Sequence, residues 1–151
     1  MVKSLEGKHP SYFEAIVQLR DVSQEVVTFV EEELQRTNVK IAKVKEMKNG
    51  LDYYLTDNNQ AKALGKSLQE RFGGDFKMTS SLFGRKDGKE IYRVTILFRE
   101  APFRKGDLVE YQGESYNVKI MGRDIMLKNK KTGEKVHVKY KEMDQIKKTL
   151  V

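Results

Sequence analysis

Lysine and arginine are the residues whose type and spacing in this sequence could do chemistry, and that chemistry is the binding of phosphate. Seven of them recur between residues 123 and 141, on expected short strands and one turn: Arg123, Lys128, Lys130, Lys131, Lys135, Lys139 and Lys141. Alternate residues of a strand share a face, so these cations could follow a line of phosphates. The alternative is a solvated lysine surface that keeps an edge strand from aggregating.

Arg85, Lys86 and Lys89 form a second cation group, at the tip of an expected hairpin. A tight turn that projects three cations is suited to enter the groove of a nucleic acid. The same residues fit an ordinary polar tip, in which Asp87 and Gly88 are present for backbone geometry. The sequence leaves both interpretations open.

A third group combines cations with tyrosines on expected strands of one sheet. Its members are Arg20, Lys43, Lys45 and Arg93, with Tyr54 and Tyr92 beside them. Aromatic rings next to cations can stack unpaired bases on an exposed sheet face. Tyrosines in such positions more often complete a core and leave their hydroxyl groups in water, which is the interpretation favoured here.

Other chemistries find little support in the sequence. The absence of cysteine excludes disulfides, thiolate zinc sites and cysteine nucleophiles. His9 and His137 lie far apart in the chain, whereas a zinc site needs at least three converging side chains. Thr79, Ser80 and Ser81 have no partner base at a recognisable spacing, and no GxxxxGKS/T phosphate loop occurs. We therefore expect no catalytic site, no metal site and no cofactor.

The net charge of +7 is unevenly distributed. Residues 101–151 hold 12 Lys and Arg against 7 Asp and Glu, so this third of the chain carries +5 of the total. Clustered cations favour an anionic partner, because they release counterions from a phosphate backbone. No run of about 18 apolar residues occurs and residues 1–10 are polar, which predicts a cytoplasmic protein with neither a membrane span nor a secretory signal.

A strand and then a helix should position the first of these side chains. Residues 12–20 alternate in polarity, with one apolar face made of Phe13, Ala15, Val17 and Leu19. This period is typical of a half-buried strand. Ser23 can cap the following helix, which should run to residue 37 or 38 with Leu34 on its buried stripe.

A hairpin and a second helix should follow. Asn49-Gly50 predicts a type I′ turn, because both residues tolerate the positive φ that this turn requires. The paired strands are expected at residues 41–48 and 51–56. Asp57 or Asn58 is expected to cap the second helix and Gly73-Gly74 to end it, while Gly65 inside it predicts a close contact.

Residues 75–83 and 91–100 should form another hairpin around the cationic tip. The order is then β-α-β-β-α-β-β. Two helices that punctuate an antiparallel sheet in this order predict a ferredoxin-like sandwich with one added strand and both helices on one face. We therefore assign residues 1–101 to a ferredoxin-like α+β domain.

Short and closely spaced strands are expected after Pro102. They should lie at residues 108–111, 115–121, 125–129 and 135–140. Such strands within about 40 residues predict a small all-β barrel. A core of fewer than about 50 residues is marginal, so this barrel, residues 102–151, should lean on the first domain. Residues 142–151 should form a short helix or a frayed tail.

Four segments together resemble one known family. They are residues 12–20 (YFEAIVQLR), 50–55 (GLDYYL), 72–74 (FGG) and 82–95 (LFGRKDGKEIYRVT). In order and spacing, the stretch from residue 11 to residue 100 resembles the core of the nonsense-mediated decay protein 3 family, the large-subunit export adaptors. Residues 103–140, with a Lys-Gly-Asp entry, resemble the translation-factor-like barrel that follows in that family.

The resemblance implies a factor on the large ribosomal subunit, near the sites of transfer RNA and of initiation-factor-5A-like proteins. It favours RNA contact for the cations after residue 122, with ribosomal RNA and large-subunit ribosomal proteins as partners. The sequence lacks the amino-terminal zinc module and the carboxy-terminal export tail of eukaryotic relatives. We therefore expect an archaeal-type core, a split gene whose zinc module is a separate protein, or a truncated chain.

Three functions from different classes are weighed. The first is a ribosome-binding protein without catalysis, acting in subunit biogenesis or translation. The second is an amino-acid-sensing regulatory domain of ferredoxin-like fold, but residues 20–23 lack the glycine that such domains place after the first strand. The third is an RNA-modifying enzyme, for which no acid and base pair can be assembled. The first is the one that the sequence supports.

Overall fold

The computed structural model describes residues 12–149, apart from the side chain of Lys86. In this range the chain is a mixed α+β structure with two five-stranded sheets. The elements of the first sheet and its helices are β1 (Ala15–Arg20), α1 (Gln24–Arg36), β2 (Ile41–Met47), β3 (Gly50–Leu55), α2 (Asn58–Phe72), β4 (Gly74–Lys86) and β5 (Lys89–Glu100).

The first sheet has the strand order β2-β3-β1-β5-β4. Strands β1 and β5 are parallel, and the other neighbouring pairs are antiparallel. The order along the chain is the predicted one, but the pairing departs from a ferredoxin-like sheet extended at its edge. Strand β5, which buries Val94, Ile96 and Phe98, takes the place beside β1. Strand β4, with exposed Thr79 and Ser80, forms the edge, where a polar strand can face water.

Both helices lie on the same face of this sheet, as predicted. One core joins the inward residues of β1 to the buried stripe of α1 and the buried stripe of α2. The α1 stripe is Val26, Val30 and Leu34, and the α2 stripe is Ala61, Leu64 and Leu68. Within residues 12–149 no α-helix covers the opposite face of the sheet, which is called the open face below.

The predictions for the helix ends and for Gly65 are confirmed in part. Asp57 caps α2 as predicted, because its side chain accepts a hydrogen bond of 3.0 Å from the Gln60 N–H. Gly65 does mark a close contact, since a Cβ there would collide with the Phe76 ring. Ser23 occupies the N-cap position of α1, but its hydroxyl makes no capping bond.

The β2–β3 hairpin exists, but the predicted type I′ turn at Asn49-Gly50 is wrong. Neither residue has a positive φ, and Gly50 already pairs with Met47. A Cβ on Gly50 would collide with the backbone oxygen of Leu19. The glycine is therefore required by the close approach of β1, a long-range contact that a dipeptide signal does not report.

The second sheet follows a turn at residues 102–107. Its strands are β6 (Leu108–Tyr111), β7 (Glu114–Met121), β8 (Ile125–Asn129), β9 (Lys135–Val138) and β10 (Ile146–Lys148), in the order β10-β6-β7-β8-β9. The predicted barrel is wrong, because β9 and β10 do not pair and the sheet stays open. A 3₁₀ helix, Tyr140–Gln145, joins them and buries Tyr140 and Met143 against the sheet, so side chains close the core in place of a strand pair.

The end of the chain is more ordered than expected. Of the short helix or frayed tail expected at residues 142–151, the 3₁₀ helix covers the first part, up to Gln145. Strand β10 then pairs with β6, with Ile146 opposite Tyr111. Residues 150 and 151 of that predicted tail lie outside the described range. The division into residues 1–101 and 102–151 stays a prediction, although one core cluster lies between Ala15 and Phe98 and the other between Ala101 and Ile146.

Candidate nucleic-acid interface

The outer face of β8 and β9 carries two lysines directly opposite each other. Lys128 pairs in register with Lys135, and its other cross-strand neighbour is Asn117 of β7. The alternate row, Val118, Leu127 and Val136, faces the core. Like charges directly opposite on a sheet destabilise it. The fold thus keeps two facing cations at a cost that a bound anion would relieve.

The loop between β8 and β9 is built by Asn129, which is 4% exposed. Its Oδ1 accepts hydrogen bonds from the N–H groups of Lys131 (2.9 Å) and Thr132 (3.0 Å). Its Nδ2 donates to Glu114 over 3.2 Å. This side chain fixes the backbone that presents Lys130 and Lys131 to solvent. The sequence interpretation missed Asn129, although an asparagine before a Lys-Lys-Thr-Gly turn is a recognised turn signal.

Lys139 extends the same surface, and Arg123 lies in the turn at the other end of β8. Lys139 follows Lys135 and His137 in alternation, beyond the buried Val138. Arg123 is exposed in the turn between β7 and β8, beside Asp124, whose carboxylate lies 3.3 Å from the His137 ring. We call the exposed cations of β8, β9 and the residues that adjoin these strands the lysine face: Arg123, Lys128, Lys130, Lys131, Lys135 and Lys139.

The lysine face has no ionic partner within residues 12–149. The ion pairs of that range involve other cations, among them Arg99 with Asp144 and Lys148 with Asp107. Lys141 is also exposed but lies in the 3₁₀ helix after the strands. The structure thus brings six of the seven predicted cations together on β8, β9 and the adjoining residues, and in residues 12–149 none of the six forms an ion pair.

The β4–β5 hairpin projects beyond the sheet as an arm, residues 81–93. Ala15 at the start of β1 pairs with Val94, so β5 residues before Val94 have no β1 neighbour. Asp87 (φ 51°) and Gly88 (φ 77°) form the two-residue turn at its tip. Arg85 and Lys89 are exposed there, and neither forms an ion pair with the described chain. The side chain of Lys86 lies outside the described residues.

The open face of the first sheet brings together five of the six residues of the third group. Strand register places Lys43, Tyr54 and Ile16 in one row, and Lys45, Asp52 and Gln18 in the next. The charge of Arg20 is paired within the protein, because its Nη1 lies 2.7 Å from the carboxylate of buried Asp52. The grouping of Tyr92 with these residues is wrong, since it pairs with Leu82 and lies on the helix side.

A stack of rings and cations runs across the open face. Lys43 Nζ lies 4.4 Å from the centre of the Tyr54 ring. Tyr54 meets Phe13 edge to face at 4.9 Å. The Arg93 guanidinium then lies between two rings, 3.9 Å from that of Phe13 and 3.7 Å from that of Phe83. We call this set, Lys43, Tyr54, Phe13, Arg93 and Phe83, the aromatic stack.

The aromatic stack corrects the sequence interpretation of Phe13. Alternation had placed this ring on the core face with Ala15, but the chain bends at Glu14, before β1 begins, and the ring turns to the open face. Beyond Phe83 the stack meets Tyr12, whose ring centre is 5.8 Å away. Burial, and then a hydrogen bond to Glu14, raises the pKa of the Tyr12 hydroxyl. No local sequence pattern indicates these contacts.

Comparison with known families decides the identity of this part of the chain. The family model described as NMD3, second domain, matches residues 12–99, which is more than half of the sequence. The chain belongs to the NMD3 family. This confirms the resemblance seen in the four sequence segments, and it is consistent with a ribosome-associated role. A search among curated proteins gave no match.

The matched NMD3 region contains the arm and the aromatic stack, whereas the lysine face lies after it. Among the residues that the structure describes, no group of three or more His, Cys, Asp and Glu side chains could hold a metal ion. No helix within that same range is long and apolar enough to cross a bilayer. The features that stand out are therefore cationic and aromatic surfaces.

Proposed function

We propose that this NMD3-family chain is an RNA-binding protein that docks on the large ribosomal subunit, in subunit biogenesis or translation, and catalyses no reaction. The observation that carries the proposal is the lysine face. Six cations lie on β8, β9 and the adjoining residues, two of them face each other across these strands, and within the described chain none forms an ion pair. A row of phosphates supplies the counter-charge that the fold does not.

The local structure supports phosphate binding over a merely solvated surface. A lysine surface that only protects an edge strand has its charges on that strand. Lys130 and Lys131 instead lie on a loop whose backbone is held by two hydrogen bonds that the Asn129 side chain accepts, and Glu114 holds that side chain in turn. Fixing the backbone before binding lowers the entropy cost of ordering the cations on a ligand.

Partners and setting follow from the same proposal. Ribosomal RNA would contact the lysine face and the arm tip, and large-subunit ribosomal proteins would lie beside it. We also propose a cytoplasmic, archaeal-type protein, whose first 101 residues form a variant of the ferredoxin-like fold and whose zinc module, where one is needed, comes from a separate chain. The absence of a catalytic role is part of the proposal, as the described residues offer surfaces for binding.

Charge reversal on the lysine face tests the proposal. Lys128, Lys130 and Lys131 changed together to Glu should abolish cosedimentation with purified large ribosomal subunits at moderate salt. With six to ten phosphates contacted, affinity of the unaltered chain should fall about a thousandfold or more between about 50 and 200 mM salt. The triple variant should show a shallower dependence, because each lost phosphate contact lowers the slope by about one.

A matched control carries the same change in net charge elsewhere. Lys40 precedes β2, Lys48 lies in the β2–β3 turn and Lys66 lies on α2; all three are exposed and form no ion pair inside the described range. Their joint change to Glu should leave cosedimentation nearly intact. If both triple variants lose cosedimentation equally, the effect comes from net charge and not from the lysine face. If the affinity does not change with salt, the electrostatic mechanism is wrong.

A further inference from the structure

Arg93 is a half-buried cation of the open face whose side chain is held on three sides. Its Nε donates a hydrogen bond of 3.1 Å to the Phe13 backbone oxygen, and Phe13 and Phe83 cover the two faces of its guanidinium. The two terminal nitrogens make no hydrogen bond or ion pair with the described residues. Burial lowers the pKa of this group, yet an arginine stays charged at neutral pH.

Such a guanidinium is prepared for an anion. Its plane and position are already fixed, so little side-chain entropy remains to be lost on binding. The free edge presents parallel N–H donors, the geometry that matches two oxygens of a phosphate. Carboxylates occupy other cations of this sheet, as Asp52 does for Arg20 and Asp144 for Arg99, but not Arg93.

Tyr54 offers a ring one position along the same stack. Its edge-to-face neighbour is Phe13, and the other group over it is the ammonium of Lys43, an exposed lysine on the edge strand β2. An exposed lysine can leave the ring at small cost, since a cation over a ring in water contributes only about 0.5–1 kcal/mol. The ring face is then available to a flat, apolar group.

Charge selects which side of the first sheet an RNA strand could approach. Helix α1, on the other face, carries four glutamates and one arginine, and that arginine is bound to Glu33. The open face carries Arg93, Lys43 and Lys45 instead. Helix α2, on the same side as α1, carries Lys62, Lys66 and Arg71 against Glu70, so the two helices together hold five acidic and four basic residues. A polyanion is therefore attracted more strongly to the open face than to the helix side.

We propose that the aromatic stack is a binding site for unpaired RNA nucleotides, with a phosphate on the free edge of Arg93 and a base on the Tyr54 ring in place of Lys43. The site rests on the proposed RNA-binding function and deepens it. Bases in a duplex are stacked on each other and cannot reach a ring on a sheet, so the site selects loops, bulges or ends. Lys45 lies on the same face to hold the adjoining phosphate.

A tryptophan reporter tests the site directly, because the chain contains no tryptophan. Tyr54→Trp places a single fluorophore in the stack, and Tyr92→Trp places one on the opposite side of the same sheet, where Tyr92 pairs with Leu82. Oligoadenylate should quench the fluorescence of the Tyr54→Trp protein and not that of the Tyr92→Trp protein. A duplex RNA of equal length should quench neither.

Binding measurements on two further variants complete the test. Tyr54→Leu should weaken oligoadenylate binding roughly 5- to 100-fold, the loss typical of one stacked base, and leave duplex binding unchanged. Arg93→Lys keeps the charge but not the fork, and should weaken the same binding about fivefold or more. Should Tyr54→Leu fail to fold, Tyr54→Phe, which keeps the ring, must still bind like the unaltered chain.

The outcomes separate this inference from the proposed function. If the chain binds large subunits through the lysine face but oligoadenylate neither quenches the introduced tryptophan nor responds to Tyr54→Leu, the nucleotide site is wrong and the proposed function stands. Equal effects of the Tyr54 and Tyr92 variants would also overturn the site. If the chain binds neither subunits nor any RNA, both proposals are wrong.

Discussion

At the scale of single residues, the decisive contacts join segments that are distant in sequence. Arg93 lies between two phenylalanines that precede it by many positions, Phe13 and Phe83. Gly50 is required by the backbone of Leu19 and not by its own turn. In both cases the residue type is required by a contact with another segment of the chain, which a local sequence pattern does not predict.

Two strand glycines give a matched test of this close approach. Gly50→Ala puts a Cβ onto the Leu19 backbone oxygen, which cannot move without breaking the β1–β3 pairing. Overpacking against backbone should lower the free energy of unfolding by about 2 kcal/mol or more. Gly84→Ala, where a Cβ meets nothing within 4 Å, should change it by less than about 0.5 kcal/mol. Urea denaturation measures both, and equal values would refute the argument.

The same distinction explains which site residues were predictable. Lys128 and Lys135 were found because strand alternation alone puts them outside. Asn129 could have been found from turn chemistry. Phe13 and Phe83 could not, because their role depends on the bend at Glu14 and on the register of β4 against β5. Arg20 was misassigned because its buried partner, Asp52, lies on another strand.

At the scale of elements, the burial of apolar side chains explains the order of the strands in the first sheet, which the order of the elements along the chain does not determine. The sequence predicted seven elements of the first sheet in the correct order, since period and caps are local. It did not predict that β5 would displace β4 from the place beside β1. That outcome follows from competition, as the strand with three buried apolar residues occupies the centre and the Thr-Ser-Ser strand the edge.

The arm has two possible interpretations: its tip contacts a nucleic acid, or it is an ordinary polar hairpin. Under the first, Arg85→Glu with Lys89→Glu should weaken large-subunit binding about tenfold or more, because a lost charge-assisted hydrogen bond contributes about 1.5–3 kcal/mol. Cosedimentation measures the effect. Lys119→Glu with Lys147→Glu makes the same change in net charge at exposed residues of the second sheet and serves as a control for nonspecific charge effects.

The melting temperature of the arm variant should equal that of the unaltered chain, since Arg85 and Lys89 are exposed and carry no ion pair among the described residues. Unchanged subunit binding by the folded variant would assign the tip to backbone geometry alone. Combined with the lysine-face reversal, the losses should add, because the two cation groups share no contact.

At the scale of the whole molecule, two cores meet through a small set of contacts. Arg99 of the first sheet binds both carboxylate oxygens of Asp144, at 2.9 and 3.1 Å, in the 3₁₀ helix of the second. Beside it, the backbone of Gly73 lies against Met121 and Tyr140. The sequence predicted that the second unit would lean on the first, but not that its sheet would stay open, because side chains of the 3₁₀ helix close its core.

Each core contains a buried tyrosine that should make the free energy of unfolding decrease at alkaline pH. Burial raises the pKa of Tyr53 to about 12 in the first core, and burial raises the pKa of Tyr140 to about 12 in the second. The ordinary value is 10.0. Above it, the unfolded chain releases protons that the folded chain retains, so stability that is fully present below pH 10 should be lost as pH rises towards 12.

Urea denaturation between pH 9 and 12 should show this loss, with a slope of up to about 1.4 kcal/mol per pH unit for each tyrosine. Tyr53→Phe and Tyr140→Phe each remove one titrating hydroxyl, together with its hydrogen bond to Glu31 or to the Gly122 backbone oxygen. Each variant should therefore be less stable at neutral pH but lose stability less steeply above pH 10. A double variant as steep as the unaltered chain would mean that neither hydroxyl is held protonated by its core.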